Sequence, residues 1–241
     1  MKLSRLLLSL GFLVVSSIGF AQDIGFYQID AVELKEVETP SEAYAIFSNS
    51  ITCESFINNS VVRSNNDRLI LADPIDEVGS AVDKIINIGK KVWSIVEAGK
   101  PVLGFSSMVA TALPLNVKCW DDLAQWEMPQ AKRYQVVFKN LYGMNVVVLD
   151  YRLTWLYGGN LKGKGKYIGY ASVTPVTVSV AWGFSLDAHV AVPTVFNMGT
   201  DADPVAGMQV NVTYKVASPL SKIEGGQSFN INAKGELQVL P

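Results

Sequence analysis

From Tyr134 onward, apolar and polar side chains alternate with a period of two. That period is the signature of strands with two unlike faces. Tyr134, Val136 and Phe138 alternate with Gln135 and Lys139, and Asn140–Gly143 carries turn chemistry. Asn145, Val147, Leu149, Tyr151, Leu153, Trp155 and Tyr157 then share one face, opposite Asp150, Arg152 and Thr154, and Gly158-Gly159-Asn160 predicts the next reversal. Val176, Val178, Val180, Trp182, Phe184, Leu186 and Val190 read as one face of a further strand, ended by Pro193. Met208, Val210, Val212, Tyr214 and Val216 repeat the pattern, and Phe229 with Ile231 opens a terminal pair closing around Lys234-Gly235. One-sided strands joined by short turns predict a mainly β fold, an antiparallel β-sandwich or squat barrel of about six to eight strands with one face wet. An outer-membrane barrel alternates as well, but Asp150, Arg152 and Asp187 on the polar faces argue against it.

Ahead of residue 130 the pattern changes. Phe26 to Val37 could form a strand, and the Asn- and Ser-rich stretch from Ser48 to Asp67 reads as loops. Ile75, Val78, Val82, Ile85, Ile86, Val92, Trp93 and Val96 recur at steps of three and four, opposite Asp76, Asp83, Asn87, Lys90 and Ser94. With Asp73 as cap, Pro74 in the first turn and Gly99 as terminator, this predicts an amphipathic helix over about residues 74–98. Such a helix would pack on a sheet or lie on a bilayer. The uncharged stretch from Pro101 to Val117 predicts a buried strand or loop leading to Cys119. The organisation expected is therefore residues 1–21, an N-terminal region over 22–129, and a β domain over 130–241 packed with it as one unit.

The first segment changes the picture most. Lys2 and Arg5, the apolar stretch from Leu6 to Ile18, and Gly19-Phe20-Ala21 have the three parts of a cleavable signal peptide. The apolar run is shorter than the roughly 20 residues a spanning helix requires. Export to a periplasm or beyond is the expectation, with the working chain starting near Gln22. In an oxidising compartment the two cysteines, Cys53 and Cys119, predict a disulfide, which would stabilise the fold by about 4 kcal/mol in the chain-entropy account. Charge is nearly balanced, 20 basic residues against 22 acidic ones, so nothing favours nucleic acid as a partner.

Candidate chemistry is sparse. The single histidine, His189, shares a predicted strand face with Ser185 and Asp187. At strand rise the Ser and His positions lie about 13 Å apart, too far for nucleophile activation within one strand. No compact set of metal ligands is present, and no cofactor is expected. Lys162, Lys164 and Lys166 step by two through Lys162-Gly163-Lys164-Gly165-Lys166 and would form a basic row, with Tyr167 beside it. That row is the candidate docking place for an anionic lipid or glycan; its plainer role is to guard an edge strand. Asn58-Asn59-Ser60 and Asn211-Val212-Thr213 match the N-glycosylation triplet. The leading functional expectation is an exported, non-catalytic protein that binds another envelope or extracellular component or is part of a surface structure. The alternatives are a membrane-active protein using the 74–98 helix and a hydrolase with an acidic site assembled by the fold.

Overall fold

The computed structural model describes residues 24–38, 85–102 and 108–241. One turn of helix, α1 (Ile24–Tyr27), leads into β1 (Ile29–Val37). The remaining strands are β2 (Ile85–Ile86), β3 (Val92–Glu97), β4 (Lys100–Pro101), β5 (Ala110–Pro114), β6 (Gln130–Asn140), β7 (Asn145–Leu161), β8 (Lys164–Val180), β9 (Ser185–Ala191), β10 (Val195–Asn197), β11 (Ala206–Ala217), β12 (Lys222–Asn232) and β13 (Leu237–Leu240). They form two antiparallel sheets that pack as a β-sandwich and do not close into a barrel. The six-stranded sheet runs β1-β6-β7-β8-β5-β2 and the seven-stranded sheet β13-β12-β11-β9-β3-β4, with β10 alongside β11. Strands from before residue 130 thus lie in both sheets.

The alternation read from the sequence sets the core. Tyr134, Val136 and Phe138 of β6 and Val147, Leu149, Tyr151, Leu153 and Trp155 of β7 are buried. They face Leu186, Ala188 and Val190 of β9, Met208 to Val216 of β11, and Phe229 and Ile231 of β12. Aromatic pairs cross the gap: Tyr134 meets Phe229 at 4.7 Å between ring centres, and Phe138 meets Tyr214 edge-on at 5.4 Å. Each large side chain removed from water contributes about 1.5–3 kcal/mol, so this inter-sheet layer is the main source of stability.

Several expectations change. Of the helix expected over 74–98, the residues before Ile85 lie outside the described set, and the rest is β2, a turn and β3. Trp93 and Ile95 point into the core and Ser94 points out, with a register shift between Ser94 and Val96 that brings Val96 inward as well. That bulge is why Trp93 and Val96 mimic helical spacing, since an extra residue in a strand turns a period of two into a step of three, while Val92 faces outward and is exposed. Gly99 caps no helix. With Ala98 it makes the two-residue β3–β4 turn, where φ is 48° at Ala98 and 75° at Gly99, the pattern of a type I′ hairpin.

The reversal expected at Gly158-Gly159-Asn160 falls instead at Lys162-Gly163, with φ of 53° and 80°. Gly158 and Gly159 stay inside β7, and the Trp126 ring occupies the space a side chain on Gly159 would fill. The long strand expected from Val176 to Val190 is broken by a turn at 181–184, so β8 and β9 lie in different sheets. The face bearing Asp150 and Thr154 is not wet: both are buried, and Asp150 accepts a 2.7 Å hydrogen bond from the Arg133 guanidinium. Ser172 and Thr174 are also buried on β8, Ser172 donating to the Met108 carbonyl. A period of two says which residues share a face, not whether water reaches it.

Candidate functional site

One end of the sandwich gathers α1, the β6–β7 and β11–β12 hairpin turns, and the turn at 181–184 that crosses between the sheets. Asn140, buried at the end of β6, draws them together. Its side-chain oxygen accepts from the N–H groups of Tyr142 and Met144, both at 3.0 Å, and its amide donates to the Phe26 carbonyl at 3.2 Å. Ser218, at the end of β11, does the same from the other sheet: its hydroxyl donates to the Tyr27 carbonyl and accepts from the N–H groups of Leu220 and Ser221. Beneath the tips the rings of Phe26, Tyr27 and Phe184 pack at 5.0–6.0 Å, with Trp182 6.2 Å from Tyr27. Gly183 is required there: its φ is 84°, and a Cβ would run into the Tyr27 ring.

The surface so built is apolar. Ile24, Leu141, Tyr142, Met144, Trp182 and Leu220 are exposed, Trp182 by 83% and Tyr142 by 57%. None of the loops over 24–28, 140–145, 181–184 and 218–221 contains an acidic, basic or histidine residue. The charges nearest in register are set back on the strands. Exposed Asp30 follows Ile29 on β1, Lys139 is paired with Glu33 at 2.5 Å and Lys222 with Glu224 at 2.7 Å, and Glu97 and Lys100 flank the β3–β4 turn. Several exposed apolar side chains gathered on one end, rimmed by charged residues of both signs, mark an interaction surface.

The outer face of the seven-stranded sheet carries a shallow depression of about 410 Å³ lined by Asp187, His189, Thr213, Lys215 and Glu224. His189 Nδ1 lies 3.0 Å from Ser94 Oγ, the residue opposite it on β3. Asp187 accepts from the Ala98 N–H at 2.8 Å, and no hydrogen bond joins it to His189. Ser185 donates to the Ala217 carbonyl instead. The hydrogen bond from Lys222 holds the Glu224 carboxyl below its ordinary range, helped by the charges of Lys222 and Lys215. Ser94 is the partner that sequence reading misses, because a helical assignment hides its strand register. A Ser–His contact without a carboxylate orienting the imidazole lacks the third member that activates a nucleophile.

Lys162, Lys164 and Lys166 are all exposed at the β7–β8 hairpin, the opposite pole from Trp182. The row is not a continuous extended one: Lys162 sits in the turn, and Gly165 has a φ of 72°. Asp203 accepts from the Gly165 N–H at 3.0 Å and so lies beside the lysines. Tyr167 is fully buried beneath Gly165 and offers no surface for stacking, so it leaves the candidate set. Cys119 is buried next to Trp120 and Tyr170 and is not a free thiol. Its expected partner, Cys53, lies outside the described residues. Among the described residues no cluster of three or more metal-ligating side chains occurs.

Fold and site together define an antiparallel β-sandwich with an uncharged apolar pole and a lysine-bearing pole. Scans against protein-family models, curated proteins and solved structures each return no match.

Proposed function

We propose that this protein is an exported, non-catalytic β-sandwich that binds another component of the cell envelope or extracellular space through its apolar pole. The observation that carries the reading is that pole itself: Trp182, Tyr142, Leu141, Met144, Ile24 and Leu220 stand in water on loops that hold no charge. Leaving such a surface exposed risks aggregation unless a partner covers it. The outer-face residues that could do chemistry point the same way, since His189, Asp187 and Ser185 each contribute to holding neighbouring strands.

Export rests on the signal-like residues 1–21, and the Cys53–Cys119 disulfide belongs to the same reading. A photo-reactive amino acid at position 182, introduced in the native host, tests the function. Adducts at 182 that are absent from a matched probe at position 164 support it. Absence of adducts at 182, or catalytic turnover by the purified chain that His189→Ala abolishes, overturns it.

A further inference from the structure

We infer that the outer face of the seven-stranded sheet carries a second binding site, for an uncharged oligosaccharide, separate from the apolar pole and independent of what covers that pole. The site is a cavity of about 320 Å³ lined by Phe196, Met198, Asn230, Asn232, Glu236 and Gln238. It lies where β11 begins and β12 ends, at the far end of both strands from Ser218. Its volume is at the small end of ligand pockets, the size for a single sugar ring.

Strand register builds it. Phe196 stands opposite Gly207, and the Phe196 ring occupies the space that a side chain on Gly207 would fill. The ring therefore lies over bare backbone, with Asn232 opposite Gly207 on the other side. Asn232 is buried and fully engaged. Its side-chain oxygen accepts from the N–H groups of Lys234 and Glu236, and its amide donates to the Glu236 carboxylate at 2.7 Å, which fixes that carboxylate at the rim. In the next row Asn230 and Gln238 stand side by side on β12 and β13, and neither side chain has a hydrogen-bond partner among the described residues. Two free carboxamides and a carboxylate thus border a cavity beside one aromatic ring. Covering a glycine accounts for the ring alone; it leaves the cavity and the free amides without a role.

Sugar chemistry fits these groups. A pyranose has a C–H face, which packs on the electron-rich face of an aromatic ring, and a rim of hydroxyls, each a donor and an acceptor at once. Carboxamides offer both functions and a carboxylate accepts from hydroxyls, whereas Glu236 would repel an anionic ligand. An extended peptide gains its main-chain hydrogen bonds at a sheet edge, and this cavity opens on a sheet face. The polar surface also continues. From Asn232 to Gly226 the outer faces of β11 and β12 present Gln209, Asn211, Thr213, Ser228 and Asn230 and no charge, over about 20 Å. That strip accommodates further sugar units beyond the one on Phe196.

The test is isothermal titration calorimetry of the purified chain with neutral hexasaccharides of glucose, mannose and N-acetylglucosamine. At least one should bind. Asn230→Ala and Gln238→Ala should each weaken that binding about tenfold, the loss of one or two hydrogen bonds, with thermal unfolding unchanged because neither side chain bonds to the fold. Phe196→Leu keeps an apolar cover over Gly207 and should also weaken binding, while Trp182→Ser should leave it unaltered. Failure of all three sugars to bind at millimolar concentration would overturn the assignment, as would binding that survives Asn230→Ala combined with Gln238→Ala. Retention of members of a random peptide library through Asn230 and Gln238, with no sugar bound, would overturn it in favour of a peptide-binding face. None of these outcomes bears on the apolar pole, which cross-linking at position 182 tests separately.

Discussion

Asn140→Ala removes the side chain that holds the apolar pole together. Three hydrogen bonds disappear: two N–H groups, of Tyr142 and Met144, lose their acceptor, and the Phe26 carbonyl loses a donor. A typical intramolecular hydrogen bond contributes about 0.5–1.5 kcal/mol net, and a buried group left unpaired costs more. Three such bonds give about 3 kcal/mol. Water can reach the exposed Tyr142 tip and restore part of the loss there, which lowers the expected destabilisation to about 2 kcal/mol. With a slope near 2 kcal/mol per molar urea, the unfolding midpoint should fall by about 1 M with the slope unchanged. Asn140→Asp keeps an oxygen for both N–H groups but sets a carboxylate against the Phe26 carbonyl, so its midpoint should lie between the two. A midpoint for Asn140→Ala within about 0.2 M of the parent would refute the idea that this residue organises the pole. An aspartate variant less stable than the alanine variant would show that the Phe26 contact outweighs the two loop contacts.

Burial pushes the Tyr134 phenol up to about 12, with the Glu36 charge adding to it, and burial also raises Tyr151, Tyr170 and Tyr214. A raised folded-state value stabilises the protein fully below the ordinary phenol range near 10 and is lost as pH rises through the folded value. Tyrosinate absorbance from these residues should therefore appear together with loss of the far-ultraviolet circular dichroism signal above about pH 10; ionisation of all nine tyrosines in an intact fold contradicts it. The Tyr151 hydroxyl is buried without a hydrogen-bond partner, so Tyr151→Phe should raise the melting temperature or leave it unchanged, and a loss beyond about 1 kcal/mol would reveal a partner for that hydroxyl. Peptide mapping of the exported chain without reductant should yield a Cys53–Cys119 cross-link, and recovery of the two cysteine peptides separately would remove the disulfide from the export reading.

The β-sandwich was legible because burying one face of a strand writes a period of two into the chain, and Tyr134 to Trp155 and Met208 to Val216 carry that period with few interruptions. The same alternation identified most of the core, since residues sharing the apolar face must leave water together. Where a bulge or a turn interrupts the period, local pattern fails. Trp93 to Val96 imitates a helix because of one irregular pairing with β9, and Ala181 to Phe184 hides a crossing between sheets inside an unbroken apolar alternation. The lysine row was visible as a string, but its separation from the aromatic tips depends on where β7 and β8 turn.

The apolar pole could not be read at all. Trp182 and Phe184 look like core residues along the chain, yet one stands in water and the other supports it, because exposure depends on which strands end together. Sequence by itself determined the alternating strands, the apolar faces and the charge balance, each a property of near neighbours. Tertiary structure decided that loops separated by up to about 190 residues meet at one end, held by Asn140 and Ser218, for the hydrogen bonds joining them cross the chain and leave no local pattern.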